Sequence, residues 1–147
     1  MNEQFETIRY TADVVCARDD GRVLLIKRRW SPHQGLFALP GGHVDPGERA
    51  VDAAARELLE ETGVAVDPGA LVMVGVFDAP GRDERGRYVS VAFLAKVPAG
   101  TKARAADDAA AVRWVPLTRL PERLAFDHHE ILTAARGRLR IAHHDQA

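Results

Sequence analysis

The sequence predicts a mixed α/β domain, and three observations support this fold class. Its 147 residues suit one domain, since domains usually hold about 100–200 residues. A composition of 46% hydrophobic and 28% charged residues is typical of a globular protein with its own core. One Ala-rich segment without Gly or Pro, residues 49–62, has short apolar runs on both sides. We therefore expect residues 1–147 to form a single domain with an early helix between strand-rich halves.

The charge balance and the apolar patterning exclude several classes of partner. The chain has 20 Lys and Arg against 21 Asp and Glu, so no overall positive field is available for nucleic acid. No run of about 18 apolar residues predicts a transmembrane helix, and the polar N-terminus does not resemble a signal peptide. The one cysteine, Cys16, excludes an internal disulfide and lies in an apolar run. We expect a cytoplasmic protein without membrane or nucleic-acid partners.

The first 44 residues predict a hairpin followed by irregular backbone. Two apolar runs, Tyr10–Arg18 and Val23–Ile26, flank Asp19-Asp20-Gly21, which is typical of a β-hairpin turn. Trp30–Gly35 contains a proline and a glycine and predicts a loop. Pro40-Gly41-Gly42 favours neither the interior of a regular strand nor a helix.

The rest of the chain predicts two helices and three strands. Residues 49–62 form the first helix, which Gly63 ends as a C-terminal glycine. Asp127 is predicted to cap a last helix over Glu130–Leu139, and His128 and His129 are interpreted as capping or surface groups. The three strands are predicted at Leu71–Phe77, Val89–Val97 and Val112–Val115.

The first helix carries an unusual acidic face. Glu57, Glu60 and Glu61 lie at i, i+3 and i+4, where like charges repel, and near the C-terminus, where the helix dipole disfavours negative charge. The pattern has two interpretations, a solvated acidic face or a site for a hard divalent cation such as Mg²⁺. The small residues Ala50 and Ala53 are predicted to share this face and leave room for a ligand.

The spacing around this helix resembles a known motif. Gly42 is followed after five residues by Glu48 and after seven more by Arg56-Glu57-Leu58-Leu59-Glu60-Glu61-Thr62-Gly63-Val64. This resembles the Nudix box, Gly-x5-Glu-x7-Arg-Glu-U-x-Glu-Glu-x-Gly-U with U a bulky aliphatic residue, without one departure. The resemblance implies a Nudix α/β/α sandwich around a mixed β-sheet, with residues 42–64 as a catalytic loop–helix–loop.

The resemblance also implies a reaction, the hydrolysis of a diphosphate linkage in a nucleoside diphosphate derivative with Mg²⁺ or Mn²⁺. Divalent ions would neutralise the diphosphate and lower the pKa of an attacking water. Arg56 would orient a box glutamate, and Glu60 would be a further ligand or a proton acceptor. Glu48 would anchor the loop or reach metal through water, provided that the chain before Arg49 is not helical. The implied catalytic residues are Arg56, Glu57, Glu60 and Glu61, and the implied metal ligands are Glu57, Glu61, Glu60, the Gly42 carbonyl and Glu48.

Segments outside the box resemble Nudix proteins that act on ADP-ribose, with AMP and ribose 5-phosphate as products. Arg82, Arg85 and Arg87 are candidates for binding phosphate or a terminal ribose, with Arg82 and Arg87 preferred. The alternative is a solvated charged loop, since Asp83 and Glu84 balance two of the three charges. The segments that carry the resemblance are Phe77–Asp83, Arg85–Arg87, Val89–Val91, Asp107–Ala109, Val112–Trp114 and Leu124–His128.

Four more residues are candidate site residues with open alternatives. Trp30 and Phe37 flank the glycine loop and are candidates for stacking an adenine, although Trp30 also fits a residue at the rim. Asp107 and Asp108 are candidates for an additional acid or base, or for an exposed turn.

The sequence leaves two rival functions open. One is the removal of oxidised or non-standard nucleoside triphosphates, and the other is a non-catalytic sensor that binds ADP-ribose. The intact acidic positions favour an enzyme over the sensor. The resemblance also suggests a homodimer. If Glu61 lies on an exposed helix face, Glu61→Gln is expected to remove turnover without harming the fold.

Overall fold

The computed structural model of the chain describes residues 4–106 and 109–144. These residues form seven strands and two α-helices, with short 3₁₀ turns at Pro68–Ala70 and Leu117–Arg119. The helices are α1 (Ala50–Thr62) and α2 (His128–His144). The strands are β1 (Ile8–Arg18), β2 (Arg22–Arg28), β3 (Phe37–Ala38), β4 (Gly41–His43), β5 (Val72–Phe77), β6 (Arg87–Val97) and β7 (Ala109–Pro116).

The sheet is mixed, as predicted, and β1 lies at its centre. β1 runs parallel to β6 along its whole length, and β5 continues the sheet antiparallel to β6. The predicted hairpin is present, but β2 pairs with β1 only near the turn, at Ala17 and Arg18. Beyond the turn β2 pairs with β7, and β4 takes the place beside the first half of β1.

Gly41–His43 corrects the prediction that this glycine segment lies outside regular strands. It forms β4, which pairs antiparallel with Thr11–Asp13 of β1. Glycine makes this close approach possible, because a Cβ on Gly41 would lie 2.3 Å from the carbonyl oxygen of Ala12. The glycines thus allow a strand here instead of preventing one.

The two helices cover opposite faces of the sheet. Successive residues of a strand point to opposite faces, so Val14 packs in the α1 cluster and Val15 in the α2 cluster. The side chains that bury α1 include Ala53, Ala54 and Leu58, and those that bury α2 include Ile131, Leu132 and Ala135. The predicted α/β/α sandwich is therefore confirmed. Among the described residues, no helix has the length and apolar character needed to span a bilayer.

The ends of α1 agree with the sequence prediction. Arg49 is extended, with φ −83° and ψ 153°, so the chain before it is not helical. Gly63 ends the helix in the left-handed conformation, with φ 74°, and its N–H donates to the carbonyl of Leu59. The helix thus begins at Ala50, one residue later than predicted, and brings the box carboxylates against β4.

Candidate active site

A cavity of about 400 Å³ lies where β4 and α1 meet the end of β2 and two loops. Three glutamates of α1, Glu57, Glu60 and Glu61, form what we call the acidic wall. Four arginines line the cavity, and one of them, Arg29, is exposed and donates to the carbonyl of Ala109. The guanidinium groups of the other three, Arg28, Arg82 and Arg85, form what we call the basic wall. Both signs of charge therefore line one cavity, so it can bind a cation on one side and an anion on the other.

Glu61 is the most deeply placed carboxylate of the acidic wall. It is 6% exposed, and its Oε1 accepts a hydrogen bond of 2.9 Å from the N–H of Gly41. Burial raises its pKa to about 9, the Gly41 bond offsets part of this, and repulsion by Glu57 and Asp13 adds to it. Burial also raises the pKa of Glu57, against the opposing effect of Arg56. Two crowded, partly desolvated carboxylates are arranged to gain from a cation.

The burial of Glu61 corrects the expectation of an exposed acidic face. Only Glu60 is well exposed, while Glu57 and Glu61 are covered because β4 crosses this side of α1. Ala50 and Ala53 do not leave room for a ligand; both pack in the core beneath the helix. The room comes from β4 instead.

Gly42 provides that room beside Glu57. A Cβ at Gly42 would lie 2.5 Å from the carboxyl carbon of Glu57 and 2.6 Å from its Oε1. Any other side chain would displace this carboxylate, so the glycine of the motif is required by the position of Glu57.

Arg56 holds the box together. Its Nε and Nη2 donate to the two carboxylate oxygens of Glu48 at 2.9 and 3.0 Å. Nη1 donates to Glu57 at 3.0 Å and to Glu60 at 3.1 Å, and Nη2 also donates to the carbonyl of His43. The hydrogen bonds between Arg56 and Glu48 lower the pKa of Glu48 and raise the pKa of Arg56. Glu48 therefore anchors the loop through Arg56, one of the two roles expected of it.

Two arginines of the basic wall are already paired with carboxylates. Arg82 donates to both oxygens of Asp127 at 2.6 and 2.8 Å, so this carboxylate binds Arg82 where a helix cap was predicted. Arg85 donates to both oxygens of Asp83 at 2.7 and 3.0 Å. Arg87 does not line the cavity; it donates to the carbonyl of Asp78.

The two candidate stacking residues have different positions. Trp30 lines the cavity and is 60% exposed, which suits either a stacking surface or a rim. The prediction that Phe37 stacks on the adenine is corrected, because Phe37 does not line the cavity. It packs with the α2-side core, and its ring centre lies 5.5 Å from the guanidinium carbon of Arg113. Asp107 and Asp108 lie outside the described residues.

Two side chains that line the cavity, Asp13 and His128, had no site role in the sequence prediction. His128 is 4% exposed, which corrects its interpretation as a surface or capping group. Its Nδ1 accepts a hydrogen bond of 2.9 Å from the N–H of Leu39, and its Nε2 lies 3.7 Å from Asp13. Asp13 in turn accepts a 2.5 Å bond from Ser90. No spacing pattern connects these residues, because three separate elements bring them together.

The donor set fits a hard divalent cation that keeps water and substrate ligands. In the described part of the chain, no three acidic, histidine or cysteine side chains form a complete metal cage. Glu57 and Glu61 supply carboxylate oxygens, and Glu61 accepts no hydrogen bond from an arginine among the described contacts. Mg²⁺ is usually bound by one or two carboxylates together with water and phosphate oxygens, so this set suits it.

Most of the chain is similar to one known family. The model of the NUDIX domain matches residues 7–135. An ADP-ribose pyrophosphatase of Methanocaldococcus jannaschii is 43% identical over 113 residues, which cover 77% of this chain and 64% of that protein. A putative 8-oxo-dGTP diphosphatase of Bacillus subtilis is 37% identical, covering 75% and 68%. An ADPR responsive transcriptional repressor of Acinetobacter baylyi is 36% identical, covering 80% and 48%.

Solved structures extend this similarity to the fold. The NUDIX domain of Shewanella oneidensis NrtR, complexed with ADP ribose, has a TM-score of 0.81 at 30% identity and covers 92% of this chain and 90% of that one. A bifunctional NMN adenylyltransferase/ADP ribose pyrophosphatase of Francisella tularensis, complexed with AMP and a Mn ion, has a TM-score of 0.79 at 31% identity. That match covers 89% of this chain and 42% of the bifunctional enzyme.

Proposed function

Because the chain belongs to the NUDIX domain family, we propose that it hydrolyses the diphosphate linkage of a nucleoside diphosphate derivative with Mg²⁺ or Mn²⁺ bound at the box. The observation that carries the proposal is the pair Glu57 and Glu61, crowded beneath β4 in a cavity that also holds arginines. One buried and one half-buried carboxylate near guanidinium groups fit the binding of a metal and a diphosphate better than they fit a purely structural role.

The residues of the chain have separable tasks in this mechanism. Glu57 and Glu61 would hold the cation, which when bound withdraws charge from the phosphates and lowers the pKa of a water ligand. Arg56 fixes Glu57 and Glu60 through a guanidinium that Glu48 holds in place. Gly41 fixes Glu61 through its backbone N–H. Glu60 is the most exposed of the three and is our candidate for a further ligand or a proton acceptor. The Gly42 carbonyl is a further candidate ligand.

We propose ADP-ribose as the substrate, with AMP and ribose 5-phosphate as products. Support comes from the M. jannaschii relative, which is named for this activity, and from the S. oneidensis NUDIX domain bound to ADP ribose. Trp30 at the cavity is a candidate for stacking the adenine. The single-domain organisation over residues 1–147, the homodimer and the cytoplasmic location stay predictions.

A second candidate is the hydrolysis of oxidised nucleoside triphosphates, because the B. subtilis relative is named for such an activity. The sensor hypothesis has a relative too, the A. baylyi repressor. The complete set of box glutamates, with both Glu57 and Glu61 at the cavity, favours catalysis over sensing alone.

A substrate panel tests the proposal. The purified chain is incubated with Mg²⁺ and ADP-ribose, other nucleotide sugars or 8-oxo-dGTP, and the products are separated by chromatography. We expect AMP from ADP-ribose at the highest kcat/KM, and none in EDTA. Preferred cleavage of 8-oxo-dGTP would select the second candidate, and binding of ADP-ribose without turnover would select the sensor.

A further inference from the structure

Arg28 differs from the other arginines of the basic wall. It is half-buried at the end of β2 and lines the cavity, and its Nε donates to the carbonyl of Pro32 at 2.8 Å. Arg82 and Arg85 each bind a carboxylate through two hydrogen bonds. Within the described residues, no carboxylate oxygen lies within 4.0 Å of an Arg28 nitrogen. Of the three guanidinium groups of the basic wall, that of Arg28 is therefore the one that the described contacts leave without a carboxylate partner.

The surroundings of Arg28 make its charge costly without a ligand. Burial lowers the pKa of Arg28, and the neighbouring charge of Arg85 lowers it further, while Asp83, Glu61 and Glu84 act in the other direction. An arginine nevertheless stays protonated at neutral pH. A partly desolvated cation beside a second cation is stabilised by an anion that enters the cavity.

Phe126 holds the Arg28 guanidinium in position. The guanidinium carbon of Arg28 lies 4.9 Å from the centre of the Phe126 ring, and that of Arg85 lies 5.4 Å from it. Phe126 has a φ of 53°, a left-handed conformation that non-glycine residues rarely adopt. A guanidinium that stacks by its face keeps its in-plane N–H groups directed at its edge, where they can bind two oxygens of one phosphate.

We propose that Arg28 binds a phosphate of the substrate's diphosphate unit in this cavity, with Phe126 as its positioning residue. This inference rests on the proposed function, and it assigns the anion-binding role to Arg28 instead of Arg82 or Arg87. The glutamates need a cation before they can hold a phosphate, whereas Arg28 attracts the same group without one. A diphosphate in the cavity would therefore contact a glutamate-bound cation on one side and the Arg28 guanidinium on the other.

Binding without metal tests this assignment directly. Inorganic diphosphate, the unit shared by the candidate substrates, is titrated into the full chain in EDTA by calorimetry, so that no turnover occurs. Arg28→Gln is expected to raise the dissociation constant for diphosphate about 10-fold or more, because the variant loses a charge-assisted hydrogen-bonded pair. Arg22→Gln is the matched control, because Arg22 lies on the same strand but is exposed and outside the cavity lining. It should leave diphosphate binding within about two-fold of that of the wild type.

Turnover gives an independent measurement and separates the two proposals. With Mg²⁺ and ADP-ribose, Arg28→Gln should raise KM more than it lowers kcat. Unchanged diphosphate affinity in a folded Arg28→Gln variant would overturn the role of Arg28, even if the wild type hydrolyses ADP-ribose. A wild type that binds diphosphate through Arg28 but hydrolyses no nucleotide would overturn the proposed function alone. If Arg28→Gln does not fold, Arg28→Lys decides: loss of the planar fork should weaken binding about three-fold or more, and wild-type affinity would contradict the assignment.

Discussion

The acidic and basic walls of the cavity are built in different ways. All three glutamates of the acidic wall come from α1, a helix of 13 residues, and Arg56 of the same helix orients two of them. The basic wall combines the end of β2 with the 82–85 loop, and the Phe126 ring before α2 supports two of its three arginines. One wall is encoded locally, and the other exists only after the sheet and both helices have assembled. Substitutions in the two walls should therefore have different consequences.

The largest effect is expected in the acidic wall, from Glu61→Gln. It should lower kcat about 100-fold or more, because charge stabilisation by a bound cation is worth several kcal/mol and ~1.4 kcal/mol is a factor of ten. The glutamine can still accept the Gly41 hydrogen bond and places no carboxylate in the buried site, so stability in EDTA should hold or rise. AMP release and urea unfolding measure the two effects.

Glu60→Gln is the control on the exposed part of the same wall. Its side chain is 45% exposed, so we expect a loss of turnover smaller than that from Glu61→Gln. A larger loss from Glu60→Gln, or wild-type turnover in Glu61→Gln, would contradict the ligand roles.

The second prediction tests whether the planar guanidinium of Arg56 is needed to bridge the carboxylates of the box. Arg56→Lys keeps the charge but cannot bridge Glu48, Glu57 and Glu60 at once, so kcat/KM should fall about 10- to 100-fold. Arg49→Lys is the matched control, since Arg49 is exposed and, among the described residues, pairs with Asp52 alone. Steady-state kinetics of both variants give the comparison. If Arg56→Lys lost no more kcat/KM than Arg49→Lys, the positive charge of residue 56 would suffice and its fork geometry would not matter.

The contrast between the walls also explains which features of the site could be predicted from the sequence. Glu57 and Glu61 lie on one helix, so helical spacing alone predicts them together. Glu48 was predicted to lie before the helix because the helical segment begins at residue 49. The same reasoning failed on exposure, because it could not include β4, which covers Glu61. Glycine-rich segments usually predict loops, and only the close approach to Ala12 reveals why a strand needs glycine there.

The basic wall was not predictable to the same degree. Arg82 was identified from its loop, but its pairing with Asp127 joins residues 45 positions apart, and Arg28 was not identified at all. His128 was interpreted from its place at a helix start, yet its partners are Leu39 and Asp13 on other elements. These contacts depend on strand order, which local patterns do not specify.

The third prediction compares two neighbouring glycines of β4. A Cβ at Gly42 would meet the flexible carboxylate of Glu57, whereas a Cβ at Gly41 would meet the backbone of Ala12. Gly42→Ala should therefore weaken metal binding and lower turnover about 10-fold with little change in stability. Gly41→Ala should destabilise the fold by about 1–3 kcal/mol. Metal titration and thermal unfolding distinguish the two variants. Loss of stability in Gly42→Ala together with loss of metal binding alone in Gly41→Ala would contradict the neighbours assigned to these two glycines.

The smallest effect on turnover is expected from His128→Asn, next to the basic wall. His128 accepts the Leu39 N–H, two residues before Gly41, which binds Glu61. Loss of this positioning should lower kcat a few-fold and stability by about 1–3 kcal/mol. The loss of kcat should exceed the change in KM, since His128 acts through β4.

His128 also gives stability a pH dependence with a definite sign. Burial lowers its pKa; Asp13 and Asp127 act against this, and Arg82 and Arg28 add to it. Below about pH 6.5 the unfolded chain binds a proton at this histidine while the folded chain does not, so the histidine destabilises the fold as pH falls, by at most about 1.4 kcal/mol per pH unit. Above that pH it has no effect. Urea unfolding in EDTA between pH 5 and 7.5 should give a steeper acid loss for the wild type than for His128→Asn. Glu61 titrates in both proteins and cancels in the difference, so parallel curves would mean that the buried histidine accepts its proton as readily in the folded chain as in the unfolded one.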